Sequence, residues 1–249
     1  MEPLLVLIPG MAADERLFEP LALPFGTPWP VRWRVVPGAR TLRDYAEDLA
    51  AQLPTRAGQT TWYIGSSMGG MLACELHAIR PADELVLLSA PACRSEFSPT
   101  MRALGRLRTG RWFTPGGLMR INRLSDTFMG FKSQEDRAWF YANLETYGPD
   151  FLHFAVNAIL SWDRRERPSR YLQIVGDRDR LFRHHRMHRP TVIPGSGHFL
   201  TLEQPDRLRA LLLDYYLPEF HEERNNSILT TNKLAASIEL KNYIKLNKL

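Results

Sequence analysis

A serine at a glycine-flanked turn, aspartates just past a strand end and a histidine in a glycine-rich loop follow one another along this chain. A serine hydroxyl is a weak nucleophile until a neighbouring base takes its proton, and the base works best when an acid orients it. The serine is Ser67, in Gly65-Ser66-Ser67-Met68-Gly69, between the apolar run TTWYI and an Ala/Leu-rich segment of helical character. Where a strand turns abruptly into a helix, the apex residue is strained and backbone segments come close together. Glycines two before and two after the apex remove the side chains that would collide. The apex hydroxyl then projects beside a helix N-terminus, whose free N–H groups stabilise negative charge. A glycine-rich turn with incidental serines is the plainer reading, but the strand–turn–helix context favours a nucleophile. Ser67, unlike its neighbour Ser66, is flanked symmetrically by glycines.

The acid and the base have to follow in the order Asp or Glu, then His. RYLQIVGDRDR reads as a strand ending at Gly176, with Asp177 and Asp179 in the loop behind it. Open α/β sheets build their sites at this C-terminal edge of the strands. PTVIPGSGHF then supplies a short strand, a glycine-rich loop and His198. Of the seven histidines, His77 falls inside a helical segment, His153 in a long insertion and His221 past the last helix. His184 and His188 could share a helix face beside His185, but no third ligand accompanies them and the cluster reads as a solvated basic loop. His198 is set apart by following a strand, in the right order and at the right edge.

Positioning such groups takes a parallel sheet covered by helices, and short apolar runs alternate here with amphipathic stretches in that pattern. The strand candidates are PLLVLIP (3–9), VRWRVVP (31–37), TTWYIG (60–65), ELVLLSA (84–90), RYLQIVG (170–176) and PTVIPG (190–195). Helices are expected over 41–53, with Thr41 as N-cap and Asp44 completing a capping box, over 71–79, and over 205–217 behind Pro205. Between the fourth and fifth strands lie about 80 residues, far more than a crossover connection needs. This insertion, 91–169, is rich in aromatic residues (among them Trp112, Phe113, Phe128, Phe131, Phe140, Phe151 and Trp162) and reads as a mostly helical lid.

On these residues the chain resembles the α/β-hydrolase superfamily, specifically its small lid-bearing serine hydrolases, from about Pro3 to Leu217. The resemblance implies an α/β-hydrolase fold: a mostly parallel sheet flanked by helices, with a core of residues 1–90 and 170–224 and a helical cap at 91–169. It implies a Ser67, Asp179, His198 triad, because the family acid commonly closes a G-x-x-D sequence, here Gly176-Asp177-Arg178-Asp179. Asp177 would then organise the turn at the strand end. LIPGMAADERLF resembles the family's first-loop segment, which implies an oxyanion hole from the backbone N–H groups of Met11 and Met68. A purely structural turn at Pro9-Gly10 is the alternative. Three departures stand out. The chain opens at what would be the family's third strand, so six strands are expected. Pro9 replaces the common histidine of the first loop. The short interval between Asp179 and His198 leaves little room for the usual helix.

The implied reaction is carboxylester hydrolysis of small to medium apolar substrates, with no cofactor and no metal. Seven arginines against the single acid Glu96 between Arg94 and Arg123 raise a second possibility, docking of an acidic acyl carrier and thioester cleavage, weighed against a merely solvated basic face. A lyase or a non-hydrolytic receptor on the same fold is a further alternative.

Composition narrows the partners. Net charge is +5, but residues 225–249 carry four lysines and one glutamate and no arginine, whereas 27 arginines and one lysine precede them. That break marks 225–249 as a tail expected to be non-native or disordered and separate from the functional domain. The remaining charge gives no footprint for nucleic acid. No apolar stretch is long enough to span a membrane, no signal peptide is recognisable, and Cys74 and Cys93 lack redox or metal spacing, so a reduced cytoplasmic protein is expected.

Overall fold

Continuously apolar runs become strands covered on both faces. In the computed structural model, which describes residues 2–54, 57–106 and 133–216, six strands form one sheet. They are β1 (Leu4–Ile8), β2 (Thr27–Pro30), β3 (Thr61–Ser66), β4 (Glu84–Leu88), β5 (Leu172–Gly176) and β6 (Thr191–Ile193). Their order is β2-β1-β3-β4-β5-β6 and every pairing is parallel. Every residue of β1 and of β5 is buried, as strands covered on two sides require. The order reverses between β1 and β3, which makes the crevice at their C-terminal ends the topological switch point.

The second strand differs from expectation. The run 31–37 is not in the sheet; TPWP, just before it, is. Thr27 N–H donates to Pro3 O and Val31 N–H to Leu7 O, so odd-numbered positions face β1. Pro28 and Pro30 therefore put their missing N–H groups on the open edge, where nothing needs them. Beyond Val31 the backbone leaves the sheet, and Arg34 N–H donates to the Tyr45 hydroxyl instead.

Helix α1 (Leu42–Gln52) starts with the expected capping box between Thr41 and Asp44. Helix α2 (Met68–Ile79) begins directly after Ser67, three residues earlier than its apolar pattern indicated, and its residues 68–76 are all buried. It packs on α1 and on the central strands. Buried Glu75 on α2 accepts from Trp162 Nε1 at 2.9 Å, with Arg43 and Arg164 each 3.7 Å away. Both cysteines are free and buried, and burial pushes the Cys74 thiol well above its ordinary range, so it stays a neutral apolar filler.

Between β4 and β5 the described residues form α3 (Pro99–Arg106) and α4 (Gln134–Ser161), which contact one another. Gly148 (φ +72°) followed by Pro149 breaks α4 in the middle. Entry to and exit from this segment are clamped together: Arg94 N–H donates to Arg164 O at 2.8 Å, and its guanidinium donates to the carbonyls of Leu160, Trp162 and Arg102. Trp112, Phe113, Phe128, Phe131 and four of the seven arginines counted above lie outside the described residues, as does the 225–249 tail. Between β5 and β6 a short 3-10 turn, His184–Arg186, takes the place of a helix. After β6 comes α5 (Leu200–Glu203). The chain divides into two units, residues 1–205 and 206–249; the described part of the second is the body of α6 (Pro205–Tyr216).

Candidate active site

Ser67 sits between β3 and α2 with φ +54° and ψ −120°, a conformation that non-glycine residues seldom adopt. Its neighbours pay the steric bill. A Cβ on Gly65 would lie 2.5 Å from Gly69 O, and one on Gly69 would lie 2.2 Å from Ile8 O and 2.3 Å from Pro9 O. Ser67 N–H donates to Leu88 O at 2.9 Å, anchoring the apex to β4. Gly69→Ala is accordingly expected to destabilise the protein by about 1–3 kcal/mol, the ordinary cost of overpacking, because backbone has to move. Thermal melting of the purified variant measures it.

His198 Nε2 lies 3.0 Å from Ser67 Oγ, and His198 Nδ1 lies 2.8 Å from Asp179 Oδ2. His198 is 4% exposed and Asp179 3%. The other carboxylate oxygen, Asp179 Oδ1, accepts the N–H groups of Leu181 at 2.8 Å and Phe182 at 2.9 Å, so both oxygens are committed. Asp177 is exposed and does something else: its Oδ1 accepts Gly195 N–H at 2.7 Å and its own N–H donates to Ile193 O, tying the ends of β5 and β6 together. Of the two aspartates, Asp179 is the one joined to His198. His77 is engaged elsewhere: its Nδ1 accepts Ala82 N–H, and burial together with Arg164 draws its pKa below the ordinary value. Among the described residues no cluster of His, Cys, Asp and Glu suits a metal ion.

The loop after β1 closes the other side. A Cβ on Gly10 would come within 3.3 Å of Ser67 Cβ, so Gly10-Met11 runs directly past the serine. Neither the Met11 nor the Met68 N–H has a backbone acceptor among the described residues. This loop is tied to α4. Arg16 Nη2 donates to Asn143 Oδ1 at 3.0 Å, and the Tyr147 hydroxyl donates to Ala13 O at 3.1 Å. Burial first, then nearby Asp14 and Glu15, push the Tyr147 phenol up to about 12, so it holds its proton. Burial opposes ionisation of Asp14, but hydrogen bonds from Arg16 outweigh it and hold the carboxyl below its ordinary range.

Ser67 and His198 open into a cavity of about 260 Å³ whose wall includes Met11, Met101, Leu104, Phe140, Ile159 and Phe182. Phe140 lines it edge-on to Phe199, centroids 5.8 Å apart. Phe151 and Trp162, by contrast, pack into the core: Phe151 lies 5.7 Å from Trp33 and Trp162 lies 5.8 Å from Phe97. A second cavity of about 360 Å³ beside β1 and β2, lined by Leu5, Phe18 and Phe25, holds neither Ser67 nor His198. One residue beside the site, Trp33, carries no local signal in the sequence; its partner, Gly10 O, is remote along the chain.

The alpha/beta hydrolase family model matches residues 5–211. No curated protein matches the chain. Among solved structures, a hydrolase from Pseudomonas aeruginosa is 20% identical, with 86% of this chain and 89% of that one covered and a TM-score of 0.66. A thermophilic esterase from Thermogutta terrifontis is 18% identical, covering 86% and 89%, TM-score 0.65. A meta-cleavage product hydrolase from Pseudomonas fluorescens is 18% identical, covering 86% and 90%, TM-score 0.62. At these identities the likeness is one of fold.

Proposed function

Because the chain belongs to the alpha/beta hydrolase family, we propose that it is a serine hydrolase cleaving ester bonds of small to medium apolar substrates. The observation that carries this reading is the unbroken contact chain from Asp179 through His198 to Ser67, at 2.8 and 3.0 Å, on the wall of an apolar cavity. Ser67 Oγ attacks the ester carbonyl while His198 Nε2 takes its proton. Asp179 holds the imidazole with Nδ1–H towards it and stabilises the imidazolium that forms. The Met11 and Met68 amides take the negative charge of the tetrahedral oxygen. His198 returns the proton to the departing alcohol, leaving an acyl group on Ser67. A water deprotonated by the same imidazole adds to the acyl carbon, the imidazolium returns that proton to Ser67 Oγ as the Ser67–acyl bond breaks, and the carboxylic acid and free serine result. No step in this sequence calls on a metal or an organic cofactor.

Met11, Leu104 and Phe140 along the cavity favour an uncharged, apolar acyl or alcohol group. Of the seven arginines behind the thioester or carrier-linked alternative, Arg94 has its guanidinium committed to three carbonyls. No described helix is long and apolar enough to cross a membrane. A fluorophosphonate probe is expected to form one adduct, mapped by mass spectrometry to Ser67. 4-Nitrophenyl esters from acetate upwards should be hydrolysed, with kcat/KM rising as the acyl chain fills the cavity. Tight binding of such esters with neither turnover nor adduct would instead identify a receptor.

A further inference from the structure

We propose that Trp33 is a positioning residue for the oxyanion site, aiming the Met11 amide through a hydrogen bond to the carbonyl of the same peptide unit. This role presupposes the serine-hydrolase reading. The indole Nε1–H donates to Gly10 O at 2.8 Å, and Trp33 is 4% exposed. Like every peptide bond among the described residues, the Gly10–Met11 unit is trans, and it is planar. In such a unit the C=O and the N–H point in opposite directions, and fixing one fixes the other. With the Gly10 carbonyl drawn inward to the indole, the Met11 N–H faces away from it, on the cavity side that Gly10, Met11 and Ser67 share.

The loop needs this restraint. Ala12, next along, has φ +57°, a strained value that persists only where the surroundings impose it. The second donor to Gly10 O is Ala13 N–H at 3.2 Å, a longer contact from within the same loop. Trp33 acts from outside, and it is itself held. Its ring lies 5.1 Å from Tyr45 on α1 and 5.7 Å from Phe151 on α4, centroid to centroid. The departure of the backbone from the sheet beyond Val31 is what delivers the indole to this place.

Trp33 makes no hydrogen bond to Ser67, His198 or Asp179, so losing its N–H leaves the proton-transfer chain intact. An oxyanion donor acts mainly in the transition state, so misaiming one lowers kcat and spares KM. Trp33→Phe keeps an aromatic ring between Tyr45 and Phe151 and removes the donor. It is expected to lower kcat by about 10-fold or more, below the 10²–10³-fold seen when an oxyanion donor is deleted outright. KM should stay within about twofold. Affinity for an alkyl boronic acid, which places an oxyanion in the site, should fall in step with kcat, and the fluorophosphonate reaction should slow while still ending at Ser67. An isostere of Trp33, 3-benzothienylalanine, carries sulfur in place of the N–H at constant shape and gives the same comparison should the Phe variant fold poorly. Unchanged kcat in a folded variant, or a loss confined to KM, overturns the role of Trp33. A wild-type protein that neither turns over ester nor labels at Ser67 overturns the hydrolase reading first, and the Trp33 role falls with it.

Discussion

Ser67→Ala and Asp179→Asn are expected to lower kcat by roughly 10⁶-fold and 10⁴-fold, while Asp177→Asn changes it by no more than a few-fold. The serine variant loses the attacking atom. The aspartate variant loses something subtler. Asp179 Oδ1 accepts two backbone N–H groups, from Leu181 and Phe182, and an asparagine at 179 keeps its carbonyl oxygen there because its NH₂ cannot accept them. The NH₂ then faces His198 Nδ1 at the 2.8 Å position now held by Oδ2. A donor facing Nδ1 makes that nitrogen the acceptor and puts the ring proton on Nε2. Nε2 is the atom 3.0 Å from Ser67 Oγ, and once protonated it cannot take the serine proton. At Asp177 the bond accepted from Gly195 N–H survives in asparagine. Steady-state kinetics on a 4-nitrophenyl ester, with melting curves for all three variants, reads the contrast. A fall at Asp177→Asn equal to that at Asp179→Asn would assign the acid wrongly.

The serine was legible because its signal is local. Glycines at fixed offsets, an apolar run before and a helix after all lie within a dozen residues, and steric crowding at the apex allows few alternatives. Thr41 and Asp44 were legible for the same reason. The histidine needed chain order as well, and the choice between Asp177 and Asp179 needed the family pattern, since both occupy one loop. Where the reading failed, at 31–37, the alternation Val-Arg-Trp-Arg was real: Val31 and Trp33 are buried, Arg32 and Arg34 exposed. One-sided burial of an extended chain gives period two whether or not a neighbouring strand is present. Prolines concealed the true strand, because the edge position that tolerates them is a property of the sheet and not of TPWP. Trp33 and Glu96 stayed hidden because the partners that matter, Gly10 for Trp33 and Arg167, Gln173 and His188 for Glu96, are far off in the chain. No local pattern encodes such meetings.

Glu96 illustrates how much such a meeting can contribute. As a sequence feature it was one acid among seven arginines. In the fold it is 1% exposed, and its carboxylate accepts Ala92 N–H at 2.8 Å, Gln173 Nε2 at 2.9 Å, Arg167 Nε at 2.8 Å and His188 N–H at 3.3 Å. Those donors belong to the start of the β4–β5 segment, to β5, to the approach to β5 and to the loop between β5 and β6. One carboxylate thus fastens the base of the helical segment to the strand that leads to Asp179. Removing one partner of a buried charged network leaves the others desolvated and unpaired, at a cost of about 3–5 kcal/mol. Glu96→Ala is therefore expected to lose about 3 kcal/mol or more, read from the urea midpoint at unchanged m-value. Glu96→Gln, which keeps the shape but turns an NH₂ toward donors, should lose about 1–3 kcal/mol. The reference is Glu84, paired at 2.8 Å with Arg170, whose side chain is 74% exposed. Solvent screens that pair, and Arg170→Ala should cost no more than about 1 kcal/mol. Equal losses at Glu96 and at Arg170 would mean that the buried carboxylate holds nothing the surface pair does not.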